Sequence, residues 1–107
     1  MKKNKIIVAL CPDDKIREKM VQKLAVRLGF ARNETDAKRI IRTNGQDYDL
    51  PDSYFVFAYN YSLRRSPETT HRLYQMALSG IAVVVGVKRV YPEHEFMCEM
   101  YYPDEVL

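Results

Sequence analysis

The sequence predicts a small α/β domain, three-layer-like, with three parallel strands joined by crossover helices and an antiparallel edge strand at the C-terminus. Three observations carry this. The run Ile81-Ala82-Val83-Val84-Val85-Gly86-Val87 is continuously apolar and β-branched, as in a strand buried on both faces. Two further runs, Lys5–Leu10 and Tyr54–Tyr59, have the composition of its neighbours. The segments between these runs carry helical periodicity, and strand–helix–strand crossovers give parallel neighbours.

Taken in order, the first strand ends near Leu10, and Cys11-Pro12-Asp13-Asp14 turns the chain into a helix. Proline suits the first helical position, and two carboxylates complement the helix dipole there. Ile16, Met20, Val21, Leu24 and Leu28 share one helical face, Lys15, Lys19, Lys23 and Arg27 line its flank, and Gly29 ends the helix as a left-handed cap. A shorter helix is expected from Glu34 to Thr43, capped by Asn33, with Ala37, Ile40 and Ile41 inward and Asn44-Gly45 as its stop. Residues Gln46 to Asp52 read as a loop.

After the second strand, Ser66-Pro67-Glu68 combines a capping hydroxyl, a proline and an acid, a strong helix start. That helix turns Leu73, Tyr74, Ala77 and Leu78 inward and stops at Gly80. Beyond the central run, Tyr91-Pro92-Glu93 turns the chain. His94 to Tyr102 then alternates, which predicts the half-exposed antiparallel edge strand, with Glu95 and Glu99 on its open face and Pro103 closing it.

The totals suit one domain over residues 1–107, with 47% hydrophobic and 29% charged residues. No apolar run approaches the roughly 20 residues of a membrane span. Too few apolar residues follow the basic N-terminus for a secretory signal, and two cysteines, Cys11 and Cys98, make no disulfide framework. A cytoplasmic protein with free thiols is expected.

The net charge of +3 hides an asymmetry. Residues 1–46 hold 12 Lys/Arg against 5 Asp/Glu, while residues 47–107 hold 5 against 9. A basic half points to an acidic protein or an anionic ligand as partner. Solvated helix surfaces or head-to-tail self-association would produce the same split. Eight tyrosines, among them Tyr59, Tyr61, Tyr91, Tyr101 and Tyr102, suit either a homodimer interface or packing within one chain.

Ligands of open α/β sheets bind beyond the carboxyl ends of the strands. That edge gathers Cys11, Asp13, Asp14 and Lys15 after the first strand, then Asn60, Tyr61, Arg64, Arg65 and Ser66 after the second, and Lys88 and Arg89 after the third. Lys15, Asn60, Arg64, Arg65 and Ser66 are the candidate ligand-binding residues. The two arginines beside Ser66 suit a phosphate or a carboxylate.

Three chemical patterns bear on this edge. Ala9–Ile16 places Lys15 in register with the lysine of a phosphate-binding loop, and Lys23–Phe30 resembles the helix that follows such loops in small nucleotide kinases. Both glycines and the metal-binding hydroxyl are missing, and two acids stand where phosphates would be held, so a degenerate relative is the most that this resemblance implies. Cys11 and Arg17 have the C-x5-R spacing of phosphotyrosine-phosphatase-type loops, making Cys11 the catalytic candidate. No glycine or serine lies between them to build an anion cradle, and Asp13 and Asp14 would repel a dianion. His94 and Cys98, on a strand, would lie roughly 13 Å apart, too far to share a metal. No metal or cofactor is therefore expected, and His71 reads as a boundary histidine.

Leu24 to Tyr54 also resembles part of the helix-pair RNA-binding domain shared by a small-subunit ribosomal protein and many pseudouridine synthases. The likeness rests on Arg27-Leu28-Gly29-Phe30-Ala31, Asp36-Ala37, Ile40-Ile41 and Asn44-Gly45, covers under a third of the chain, and lacks the strand that precedes Asn-Gly in that domain. It implies Arg32, Lys38, Arg39 and Arg42 as RNA-facing residues. The leading expectation is a non-catalytic binding or interaction module for an acidic or anionic partner, with nucleic-acid binding as the alternative and an enzyme using Cys11 as a third.

Overall fold

The computed structural model describes residues 4–44, 55–64 and 66–107, with only the backbone described for 42–44. The elements in chain order are β1 (Ile6–Leu10), α1 (Asp14–Arg27), α2 (Glu34–Asn44), β2 (Phe55–Ala58), α3 (Pro67–Leu78), β3 (Ala82–Val87), a 3-10 helix (Pro92–Met97), β4 (Cys98–Tyr101) and α4 (Pro103–Val106). The four strands form one sheet in the order β2-β3-β1-β4, and every pairing is parallel.

The strand built from the long apolar run, β3, lies between β2 and β1, with Val83, Val84 and Val85 fully buried. Neighbouring residues of a strand face opposite sides of the sheet, and the core divides accordingly. Ile7, Ala9, Phe57 and Val84 pack with Met20, Val21, Leu24 and Ala25 of α1, Ala37 and Ile41 of α2, and Val106 of α4. Ile6, Val8, Val56, Val83 and Val85 pack on the other side with Leu73 and Ala77 of α3, and with Met97 and Cys98.

Helix starts follow the capping chemistry, with one shift. Asp13, not Pro12, opens α1: its carboxylate accepts from the Ile16 amide at 2.9 Å, so the proline lies before the cap. Asn33 caps α2 by accepting from Asp36 N–H at 2.9 Å, and Ser66 caps α3 by accepting from Thr69 N–H at 3.3 Å. Gly29 and Gly80 take φ of +85° and +91° after α1 and α3, the left-handed region where a side chain is strained. Two expected inward residues are not inward: Ile16 is 37% and Leu78 51% exposed. The expected loop from Gln46 to Asp52, and the residue Tyr54, lie outside the described residues.

The C-terminal strand differs most from expectation. It is not antiparallel to β3: β4 crosses to the far side of β1 and runs parallel to it, pairing Ile6 with Cys98 and Val8 with Met100. His94 to Met97, read as strand, belongs to the 3-10 helix, whose first residue is Pro92. The cause is geometric. Six residues rising about 2.0 Å each cover about 12 Å, enough to return the chain along a four-residue strand of about 13 Å. Met97 anchors the return at 7% exposure, whereas Phe96, which alternation against Glu95 and Glu99 would set on the apolar face, is 62% exposed. Pro103 does not simply end the chain's structure but opens α4, where Glu105 accepts from the Tyr102 amide at 3.1 Å.

Candidate functional site

Adjacent strands whose outgoing connections pass to opposite faces leave a crevice between their carboxyl ends. In this order that place lies between β1, which leads into α1, and β3, which leads into the 3-10 helix. The protein fills it with its own arginine. Arg17, on the first turn of α1, is 2% exposed. Its Nη1 donates to the Cys11 carbonyl at 2.8 Å and its Nε to the Tyr59 carbonyl at 3.0 Å, while Nη2 donates to Asp14 and, at 3.4 Å, to Asn60 Oδ1. The guanidinium thus ties the ends of β1 and β2 across β3. Gly86 makes the crossing feasible: a Cβ there would stand 2.7 Å from Arg17 Cγ and 2.2 Å from the Tyr59 carbonyl oxygen. Backbone bonds close the same edge, Cys11 N–H to the Val87 carbonyl and Tyr61 N–H to the Gly86 carbonyl.

This arrangement decides the fate of the first strand–helix junction. Cys11 is 5% exposed within the apolar cluster under α1, and Arg17 points its donors at main-chain carbonyls. The C-x5-R spacing therefore builds a staple, with the donors of Arg17 committed to Cys11, Tyr59, Asp14 and Asn60. At the head of α1, Asp13 occupies the Ile16 amide, and hydrogen bonding to Arg17, its charge, and behind it that of Lys88, hold the Asp14 carboxyl below its ordinary range. Lys15 is exposed beside these two acids.

The other candidates divide between two places. Arg64 sits 3.5 Å over the Tyr91 ring and donates to Glu93 from Nε at 2.9 Å and Nη2 at 2.7 Å, so its charge is already met. Glu93 is in turn held below the usual carboxylate range, first by its own backbone amide and then by Arg64. Ser66 is spent on the α3 cap, and Arg65 lies outside the described residues. Asn60 joins Tyr61, Ser62, Lys88, Arg89 and Tyr91 around a cleft of about 290 Å³ between the loops that follow β2 and β3. Lys88 and Arg89 are exposed there without an ion-pair or hydrogen-bond partner among the described residues, and no described lining residue is an acid. Tyr61 forms the floor, buried, with its hydroxyl 2.9 Å from Thr70 Oγ1, which itself donates to the Leu63 carbonyl. Beyond Asn60, the order of the strands by itself brings Lys88 and Arg89 to this edge, whereas Tyr91, expected as a turn residue, enters the lining only through the tertiary fold.

A broader depression of about 650 Å³ lies among α1, α2 and α4. Its charges are met from within: Lys23 faces Glu34 at 3.9 Å, and Arg27 donates to the Glu105 and Val106 carbonyls at 3.3–3.4 Å. On α2, Asp36 accepts from the Arg32 amide at 3.0 Å and from Arg39 at 2.7 Å, and both contacts lower its pKa. Arg32 and Lys38 are exposed, and the side chain of Arg42 is outside the described residues. The helix α2 runs through Asn44, where the RNA-binding pattern would have placed a strand before Asn-Gly.

The histidines are apart: His71 is exposed on α3, and His94 lies in the 3-10 helix, its ring 6.2 Å from that of Tyr91. His94 Nδ1 is buried without a hydrogen-bond partner among the described residues. No cluster of three or more His, Cys, Asp or Glu side chains able to hold a metal occurs among the described residues, and no described helix is long and apolar enough to cross a membrane. No family model, curated protein or solved structure matches the chain.

Proposed function

We propose that the chain is a small, non-catalytic, layered α/β binding module of the cytoplasm that takes an anionic ligand, free or carried on an acidic partner, in the cleft beyond the carboxyl ends of β2 and β3. The observation that supports this is the pairing of two exposed, uncommitted cations, Lys88 and Arg89, with a concave wall free of described carboxylates. A fold ordinarily intersperses charges of both signs on its surface, as it does here where Arg64, Arg39 and Lys23 find acids. Concave, single-signed charge concentrates counter-ions.

The reading is tested by thermal unfolding with a panel of anions at constant ionic strength, comparing the native chain with the Lys88→Ala/Arg89→Ala variant. A ligand of the folded state raises the melting temperature, and the variant should lose that rise. An equal rise in both proteins would place the anion elsewhere and overturn the proposal.

RNA binding through α2 is the second reading, favoured by the exposure of Arg32 and Lys38 at one short helix. It requires an affinity that falls steeply with salt and that Lys38→Ala weakens. Binding flat across a salt titration would dismiss it.

A further inference from the structure

The cleft has a donor inventory more specific than its charge, and on the anion-binding reading above it selects a ligand class. Lys88 presents a three-donor ammonium and Arg89 a five-donor planar guanidinium, neither with an acceptor to offer. Asn60 turns its Oδ1 toward Arg17, at 3.4 Å, so the amide NH2 is the end left for a ligand. Ser62 adds an exposed hydroxyl. Four donor groups therefore line one cleft that has no acid among its described lining residues, and Asp14, whose carboxyl feels the charge of Lys88, is already engaged by Arg17.

Such a wall is complementary to a ligand that only accepts, has more than two oxygens and carries close to two negative charges. A monocarboxylate supplies two oxygens and one charge. A phosphomonoester supplies three terminal oxygens and about −1.5 to −2 at neutral pH. Lysine meets such a group as a point charge and arginine through paired donors.

Size bounds the remainder. About 290 Å³ lies at the small end of organic-ligand pockets, which run from roughly 300 to 1,000 Å³, so the ester carries a small group and not a polyphosphate chain. Tyr91 supplies an aromatic wall beside the cations. Arg64 sits 3.5 Å over its ring and is itself paired with Glu93.

We infer that this cleft binds a small phosphomonoester, with Lys88, Arg89, Asn60 and Ser62 around the phosphoryl oxygens and Tyr91 against the ester group. The experiment is a titration of the full, isotope-labelled chain followed by amide shifts, with phenyl phosphate, inorganic phosphate and benzoate at constant ionic strength. Phenyl phosphate should give saturable shifts at Asn60, Ser62, Lys88 and Arg89, with an affinity at least about tenfold above benzoate. Lys88→Ala and Arg89→Ala, both at exposed positions, should each weaken it by about fivefold or more while the remaining spectrum stays that of the folded chain.

Benzoate binding as tightly as phenyl phosphate would overturn the phosphomonoester assignment and leave the anion reading standing. Absence of saturable shifts with all three ligands, or shifts confined to α2, would overturn both. A phosphoserine tetrapeptide binding more tightly than phenyl phosphate would overturn the small-molecule assignment and move the ester to a protein side chain.

Discussion

Arg17 shows how one side chain can set the character of a whole edge. A buried cation is costly unless its donors find acceptors, and here three strand-end groups and one carboxylate supply them. Arg17→Met keeps much of the volume but leaves the Cys11 and Tyr59 carbonyls without their donor. A loss of about 3–5 kcal/mol is expected, read from the urea midpoint at constant m-value. Gly86→Ala strikes the same contact from the other side, since its Cβ would meet the Tyr59 carbonyl at 2.2 Å. Overpacking of that kind costs roughly 1–3 kcal/mol, and a Gly86→Ala variant as stable as the native protein would mean that Arg17 does not lie across β3. The tyrosines divide by partner: Tyr59 accepts from Gln22, Tyr61 meets Thr70, and Tyr101 donates to Glu99, so these hydroxyls are engaged within the chain. Tyr102, by contrast, is 49% exposed.

Among elements, the cap of α1 should matter more to stability than the ion pair of the loop after β2. Asp13 satisfies one of the orphan amides of α1 and places a negative charge at the positive end of the helix. Asp13→Ala should cost about 1 kcal/mol. Arg64 and Glu93 are 55% and 51% exposed, and solvent screens such pairs. Glu93→Ala should therefore leave the urea midpoint nearly unchanged, while freeing Arg64 beside the Tyr91 wall. A large loss from Glu93→Ala would assign that pair a structural role. The 3-10 helix matters as a connection more than as a helix, because its span sends β4 to the outer side of β1.

For the whole molecule, the shifted groups set both limbs of the stability profile. Asp14, Asp36 and Glu93 are held below their ordinary values, of 3.8 for the two aspartates and 4.5 for the glutamate. A depressed carboxyl contributes stability that is present above its ordinary value and lost as pH falls through the lower folded one. The acid limb should therefore begin just below pH 4.5. On the alkaline side, burial pushes the Cys98 thiol from 9.0 to about 11, and burial followed by the Glu99 carboxylate pushes the Tyr101 hydroxyl from 10.0 to about 12. The unfolded chain releases these protons first, so stability is complete below about pH 9 and declines as pH rises toward 12. Urea midpoints at about pH 3, 7 and 10.5 should be highest at 7, and a Cys98→Ala/Tyr101→Phe variant should flatten the alkaline decline. An unchanged alkaline limb in that variant would assign it to other groups.

How much of this is legible in the sequence follows from the range of the interactions involved. The apolar runs, the caps at Asn33 and Ser66 and the turning glycines act over a few residues, so local sequence carries the parallel α/β core and the order of its first six elements. Alternation alone could not separate a strand from the 3-10 return at His94–Met97: a strand would set Met97 on the open face with Glu95 and Glu99 and turn Phe96 inward, and only the cluster that Met97 joins with Ile6, Val8 and Val87 reverses the two. The site was legible as a set of residues and not as a geometry. Arg64 and Lys88 are both cations after strands, yet Glu93 claims one and leaves the other, across 29 residues of chain. Likewise Cys11 and Arg17 show their spacing in sequence, but the Tyr59 carbonyl, 42 residues on, decides that the arginine is a staple. Tertiary structure made these decisions because the charge and donors of a side chain are spent on whatever the fold brings within about 3 Å, and sequence separation does not measure that distance.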